Sequence, residues 1–168
     1  TRAHYLPAER CEDMLDEWRA LSLARYNAAD GARYFKPGAV SLLRLLRGAG
    51  VRLCVATASS PEFYLPVLRA GGAEELFDAY ATVAEAGKNK SFPAVFLLAA
   101  EKLNVPPSSC VVFEDNLTAL RAAKAAGMQA AAVLDGQPPE ALAALQAEAD
   151  EFIASFEEFA ASLPRRAE

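Results

Sequence analysis

The order of apolar and polar positions divides the chain into segments with two different periodicities. Apolar residues three or four apart predict amphipathic helices, whereas short apolar and β-branched runs predict buried strands. Helices are predicted at residues 9–28, 39–50, 91–103, 117–126, 139–147 and 156–163, and one more begins at residue 61. Strands are predicted at residues 51–56, 77–83, 111–114, 129–134 and 151–154.

Strands that alternate with helices predict an α/β fold, with a parallel sheet and helices on both of its faces. Turn residues support the predicted boundaries. Ser60 and Pro61 suit the N-cap and the first position of a helix, and Gly127 follows the helix predicted at 117–126. The main shift in composition lies at residues 34–38, where an all-helical leader meets the α/β part.

Composition and charge exclude several classes of protein. Of 168 residues, 53% are hydrophobic, which together with the clear periodicities predicts an ordered domain. The 17 basic and 22 acidic residues give a net charge of −5 without a dense basic cluster, so binding to nucleic acid or to an anionic membrane is disfavoured. No apolar run is long enough to span a bilayer.

Cys11, Cys54 and Cys110 are an odd, scattered set, which favours reduced thiols and a cytoplasmic location.

The first candidate site residues follow the strand predicted at 51–56. In open α/β sheets, ligands bind beyond the carboxyl ends of the strands. The hydroxyl of Thr57 and the turn amides around Ala58 and Ser59 could donate hydrogen bonds to a phosphoryl oxygen. Alternatively, Thr57 only ends the strand, and Ser59 or Ser60 only caps the next helix.

The second candidate is a polar loop, Gly-Lys-Asn-Lys-Ser-Phe-Pro, at residues 87–93. A lysine in this loop, Lys88 or Lys90, could neutralise phosphate as a compact point charge. Because most surface lysines have no such role, a solvated surface position is the alternative interpretation.

The third candidate is the acid pair Glu114 and Asp115, which ends the strand predicted at 111–114. Two carboxylates at the end of a buried strand are costly unless they are paired or bind a metal. Mg²⁺ prefers a few carboxylates with water and substrate phosphate, so we favour metal binding by Asp115, with Glu114 as a supporting ligand or a neighbour of the ligand. Helix capping is the alternative for Asp115, but Asn116 is better placed for it.

This order of a strand-end hydroxyl, a lysine and an acid pair resembles the haloacid dehalogenase superfamily, in its branch of phosphatases and phosphosugar mutases. The matching segments are FKPGAVSLLRLLRGAGVRLCVATASS, KSFPAVFLLAAEKLNV, CVVFEDNLTALRAAKAAGM and ADEFIASFEEF. The resemblance covers nearly everything from residue 35 onward. It implies a Rossmann-like haloacid dehalogenase core at residues 37–168, and it implies that residues 1–36 are the C-terminal part of a helical cap.

The resemblance also implies roles for the candidate residues. In the family, the strand-end hydroxyl binds the transferring phosphoryl group, which assigns that role to Thr57 and substrate binding to Thr57, Ala58 and Ser59. The family lysine steadies a phosphoaspartate and binds substrate, which assigns both roles to Lys90. The acid pair helps to hold Mg²⁺, which assigns Glu114 and Asp115 to the metal.

The lysine assignment depends on spacing, and the chain departs from the family pattern nearby. Lys90 keeps the family's distance along the chain to Pro93 and Phe96, and Lys88 is the fallback. The family often has an acid where this chain has Ala94. We interpret this difference as a change in the loop that leaves the chemistry intact.

The larger departure concerns the family's first strand, which ends in Asp-x-Asp and supplies the nucleophile. No segment before Thr57 matches that motif. The chain is therefore expected to be truncated at its N-terminus relative to the family, and its core to lack the first strand. In the family this strand lies between those that correspond to residues 51–56 and 111–114. Its absence predicts two half-sheets with apolar edges, which would favour self-association.

The function implied by the resemblance is that of a Mg²⁺-dependent phosphomonoester hydrolase that acts on a small phosphorylated metabolite through a phosphoaspartate. Activity of this chain by that route depends on the nucleophile. A β-phosphoglucomutase-like isomerase is one alternative. Such enzymes tend to have a lysine just after the strand-end serine pair, and Ser60-Pro61-Glu62 stands there instead, which favours hydrolysis. A catalytically silent phosphate-binding or partner-binding module is the other alternative.

Overall fold

The structure, a computed structural model, describes residues 8–27 and 31–163. The helices are α1 (Ala8–Tyr26), α2 (Ala39–Gly48), α3 (Pro61–Ala70), α4 (Val83–Ala86), α5 (Ala94–Leu103), α6 (Leu117–Ala125), α7 (Pro139–Glu148) and α8 (Phe156–Ser162). The strands are β1 (Cys54–Thr57), β2 (Ala79–Thr82), β3 (Val111–Glu114), β4 (Gln129–Val133) and β5 (Glu151–Ile153). Among the described residues, no helix combines the length and the hydropathy needed to cross a membrane.

The α/β class and the parallel strands are confirmed. β1 pairs with β2, and β3, β4 and β5 pair in that order, with every pair parallel. Within the described residues the strands form two separate sheets of two and three strands, so β1 and β3 each have one edge without a strand partner. This is the pair of half-sheets that the resemblance predicts.

Several predicted boundaries were wrong, by one to three residues. The strand predicted at 51–56 begins only at Cys54, because the backbone N–H of Leu53 donates to the Asp78 carboxylate at 2.8 Å instead of to a neighbouring strand. The strand predicted at 77–83 ends at Thr82, because Thr82 and Glu85 form a capping box that starts α4, a helix the periodicity does not predict. The helix predicted at 91–103 begins only at Ala94.

Both sheets border one hydrophobic cluster, so the two sheets share a core. Its largest fully buried side chains include Phe96 of α5 and Leu120 of α6. Cys54 of β1 and Cys110, just before β3, pack against the same cluster. The strands with free edges, β1 and β3, therefore border the same hydrophobic cluster.

The outer edge of β2 is protected by side chains. The ammonium of Lys102 donates to the Tyr80 carbonyl oxygen at 2.6 Å, and the Glu85 carboxylate accepts from the backbone N–H of Thr82 at 3.0 Å. A charged lysine along a strand edge discourages the addition of another strand. This edge is therefore closed to strand pairing by the chain's own side chains.

The described part of the helical leader packs against α3. Trp18 and Tyr26 place their rings 5.7 and 6.2 Å from the ring of Phe63, and Arg19 forms an ion pair with Glu62 at 2.6 Å. On α1, Leu15 is still 63% exposed. Residues 1–7 and 28–30 of the predicted cap segment lie outside the described residues.

A glycine at the start of α2 allows this helix to approach α8. Gly38 has a φ of +77°, and a Cβ there would lie 2.8 Å from the backbone nitrogen of Glu157. We expect Gly38→Ala to lower the free energy of unfolding by about 2 kcal/mol or more, because a left-handed conformation costs a non-glycine residue about 1–2 kcal/mol before any clash. Urea unfolding would measure this change.

The matched control is Gly48→Ala at the other end of α2. A Cβ at Gly48 meets no atom within 4 Å, so alanine should be neutral or stabilise the helix by up to about 1 kcal/mol. Equal effects of the two substitutions would show that the contact with α8 does not constrain Gly38.

Candidate active site

Lys90 and Glu114, which the sequence separates by 24 residues, meet at the carboxyl end of β3. The Lys90 ammonium lies 2.6 Å from Oε2 of Glu114, and the Glu114 side chain is only 7% exposed. The same ammonium lies 5.7 Å from the ring centre of Phe96, a buried residue of α5. A buried carboxylate is strongly unfavourable without a partner, so this ion pair fixes the lysine beside the strand end.

The fallback lysine has a different environment. Lys88 lies with its ammonium 5.6 Å from the ring centre of the exposed Phe92. Gly87, with a φ of +67°, turns the chain after α4, and the Asn89 side chain accepts from the backbone N–H of Ser91 at 3.0 Å. This local turn directs Lys90 toward β3 while Lys88 stays on the surface.

The two carboxylates of the acid pair, Glu114 and Asp115, have different contacts. Oε1 of Glu114 accepts from the backbone N–H groups of Asp115 and Asn116, both at 3.3 Å. Asn116 caps α6, because its side-chain oxygen accepts from the N–H groups of Thr118 and Ala119 at 2.9 and 3.2 Å. The prediction that Asn116 is the cap is confirmed, and the Asp115 carboxylate is not needed for capping.

A third carboxylate, which the sequence analysis missed, joins the pair. Burial, together with hydrogen-bonding contacts with the carboxyl groups of Glu114 and Asp135, raises the pKa of Asp115 to about 6. The ammonium of Lys36 forms an ion pair with Asp135 and lowers the pKa of that carboxyl. Asp135 lies just after β4, in the same way that Asp115 lies just after β3. This position after a strand is the sequence signal that could have identified Asp135.

These carboxylates suit a partial magnesium site. In the described stretches 8–27 and 31–163, no three Asp, Glu, His or Cys side chains are arranged to hold a metal ion by themselves. Mg²⁺ is commonly held by only one or two protein carboxylates, with water and phosphate oxygens as the other ligands. The crowding that raises the pKa of Asp115 would be relieved by a cation, so the donor set fits Mg²⁺.

The carboxyl end of β1 presents the predicted hydroxyl. Oγ1 of Thr57 accepts from the backbone N–H of Ser59 at 3.0 Å, which leaves its hydroxyl hydrogen able to donate to a ligand. Ala58 and Ser59 are exposed. Ser60 occupies the N-cap position of α3, but its hydroxyl donates to the Glu62 carboxylate at 3.1 Å, so the expected side-chain cap is not formed.

A cavity of about 370 Å³ opens beside the ion pair. Its walls come from the loop before α5 and the first turn of α6, and its lining residues are Asn89, Lys90, Ser91, Glu114, Asn116, Thr118 and Ala119. A larger cleft of about 670 Å³ lies along the closed edge of β2. Of these two cavities, the smaller one contacts the predicted Lys90 and Glu114, so we take it as part of the candidate site.

Comparisons with known proteins agree with this architecture. The sequence model of a family of haloacid dehalogenase-like hydrolases matches residues 3–127. Protein CbbY of Cereibacter sphaeroides is 38% identical over 104 residues, which cover 60% of this chain and 45% of that protein. A probable pseudouridine-5'-phosphatase of Drosophila melanogaster is 37% identical over 107 residues, which cover 59% of this chain and 46% of that protein.

A solved structure gives the same result for the fold. The crystal structure of β-phosphoglucomutase from Clostridium difficile superposes with a TM-score of 0.74, covering 91% of this chain and 64% of that chain. Its sequence identity is 24%, so it supports the fold alone. The chain spans about half the length of the curated relatives that it matches.

Replacing Asp115 by Asn should raise the free energy of unfolding of the metal-free protein at pH 7. The raised pKa means that ionisation of Asp115 costs the folded state stability as the pH rises from about 4 to about 6. Asparagine carries no such charge and should keep that stability. One pKa unit corresponds to about 1.4 kcal/mol, and solvent screening reduces the effect, so we expect a gain of roughly 1 kcal/mol.

Urea unfolding in EDTA at pH 4 and pH 7 would measure this gain. Asp13→Asn, at an exposed position of α1, is the control and should show no comparable change between the two pH values. An Asp115→Asn variant that is no more stable than the parent at pH 7 would contradict the crowding of the acids.

Proposed function

The chain belongs to the haloacid dehalogenase-like hydrolases, and on that basis we propose that it forms the larger part of the active site of a Mg²⁺-dependent phosphomonoester hydrolase. The observation that carries the proposal is the Lys90–Glu114 ion pair at 2.6 Å. This ion pair joins the loop before α5, which follows the β1–β2 sheet, to the carboxyl end of β3 in the other sheet. A cation is thereby fixed where parallel strands end and where ligands bind in α/β folds.

In this proposal Lys90 neutralises the transferring phosphoryl group. Its ammonium is held by a buried carboxylate and an aromatic face, so little reorganisation is needed when negative charge develops nearby. The Thr57 hydroxyl and the N–H groups at Ala58 and Ser59 would donate hydrogen bonds to the phosphoryl oxygens. The acceptor role of Thr57 toward Ser59 orients its hydroxyl for such donation.

Asp115 would hold the Mg²⁺ ion, with Glu114 beside it. When bound, the ion would offset the negative charge of the phosphate and of the neighbouring carboxylates. Glu114 keeps the backbone at Asp115 and Asn116 in place and holds Lys90 at the same time. The chain's own residues would therefore orient the phosphate and the metal ligand together.

The nucleophile would come from an additional strand between β1 and β3. Each of these strands has an unpaired edge, both border one core, and the outer edge of β2 is closed by Lys102 and Glu85. An aspartate at the carboxyl end of such a strand would take the phosphoryl group from the substrate oxygen, and water would then release it as inorganic phosphate. Where the edges stay open, they would favour pairing with another copy of the chain.

The proposed domain division is a core at residues 37–168 and a cap segment at residues 1–36. We propose a small phosphorylated metabolite as the substrate, in keeping with the phosphatase name that one relative bears. Hydrolysis is favoured over phosphosugar isomerisation, because Ser60 and Glu62 bond to each other where a second phosphate-binding lysine would be expected.

Phosphate release from an aryl phosphate by the full-length protein tests this function, with and without Mg²⁺. Lys90→Ala should lower kcat by about 100-fold or more, since removal of one fixed donor to a developing charge commonly costs this much. Lys88→Ala is the matched control in the same loop and should change kcat less than about twofold, because the Lys88 ammonium lies beside the exposed ring of Phe92.

Two results would contradict the proposal. Turnover that does not require Mg²⁺, or that survives Asp115→Asn, would remove the metal assignment. Thermal stabilisation by phosphate without any turnover would instead favour a phosphate-binding module.

A further inference from the structure

The side chain of Gln137, in the loop between β4 and α7, bonds to three backbone groups at once. Its amide nitrogen donates to the carbonyl oxygens of Asp115 at 2.9 Å and Val133 at 3.0 Å. Its amide oxygen accepts from the backbone N–H of Asp135 at 2.7 Å. Both amide hydrogens and the amide oxygen are thereby used by the protein's own backbone.

These bonds connect β3 and β4 beyond the end of their ladder. The last paired residues are Glu114 and Ala132, and Asp115 and Val133 each lie one position further along. The chain turns into α6 directly after Asn116, so the strand pairing cannot continue there. The two donated bonds of Gln137 therefore replace the missing ladder bonds and hold the backbone of Asp115 against the end of β4.

The same side chain organises the neighbouring acid. The bond to the Asp135 N–H closes the loop after β4, and Lys36 holds that loop from the other side through Asp135 and through the Leu134 carbonyl oxygen at 3.1 Å. Gln137 is thus the one side chain in the described residues that bonds to the backbone of both Asp115 and Asp135.

We propose that Gln137 is a positioning residue for Asp115 and sets the affinity of the candidate site for Mg²⁺. This inference rests on the proposed function, which assigns Asp115 to the metal. Groups that orient a metal ligand without touching the metal commonly change metal affinity by about 10- to 100-fold when they are removed. Gln137 acts on the backbone of the ligand, so we expect the lower end of this range, about 10-fold.

Titration calorimetry of the full-length protein with Mg²⁺ tests the inference without any activity assay. Gln137→Met keeps the length of the side chain and loses both donors, and it should weaken Mg²⁺ binding about 10-fold. Gln137→Ala should weaken it at least as much. Gln129→Ala, an exposed glutamine at the opposite end of β4, is the matched control and should bind Mg²⁺ like the parent.

A Gln137→Met variant with the Mg²⁺ affinity of the parent would overturn the inference. Asp115→Asn separates this failure from that of the proposed function. If Asp115→Asn abolishes Mg²⁺ binding and Gln137→Met does not weaken it, only the positioning role is wrong. If Asp115→Asn binds Mg²⁺ like the parent, the metal assignment is wrong, and the role of Gln137 fails with it. If Gln129→Ala loses as much Mg²⁺ affinity as Gln137→Met, the loss reflects general destabilisation, and the positioning role of Gln137 is wrong.

Discussion

The buried carboxylate of Glu114 is the constraint on which the candidate site depends. At 7% exposure it needs a cation, and Lys90 supplies one from a loop that follows the other sheet. The remaining oxygen is used by the backbone N–H groups after β3, which start α6. The turn after β3, the loop before α5 and the approach of the two sheets are therefore linked through a single side chain, because loss of Lys90 would leave a buried charge without its partner.

The acids near this pair lower the stability of the metal-free fold more than they raise it. Asp115 has a pKa of about 6 because it is partly buried and contacts two other carboxyl groups. Lys36 and the amide of Gln137 limit the cost by pairing with Asp135 and by fixing the backbone at Asp115. A divalent cation bound beside these carboxyl groups would offset their mutual repulsion.

Small side chains allow the helices to lie close to the strands that end at the site. Ala119 and Ala123 of α6 and Ala130 and Ala132 of β4 are almost completely buried in the shared core. Their size lets α6 approach the sheet closely, so its first turn stands directly beside β3. The rigid packing behind the strand ends is what makes the positions of the polar side chains in front of them well defined.

The sequence by itself determined the features that depend on neighbours along the chain. Short apolar runs indicated each strand, and the cap at Asn116 followed from residues within one helical turn. The acid pair and Lys90 were predicted because strand ends and family spacing are both local patterns. The capping box of Thr82 and Glu85 was also readable in the sequence, although periodicity alone missed α4, which is a single turn.

Only the tertiary structure decided which side chains meet. Lys36 and Asp135 lie 99 positions apart, and Gln137 reaches back 22 positions to Asp115, so no periodicity or spacing could connect them. The contact between Lys90 and Glu114, which lie 24 positions apart, likewise became visible only in the tertiary structure. The physical reason is that hydrogen bonds within a turn depend on adjacent residues. Contacts between loops depend instead on which strand ends the packed core holds side by side.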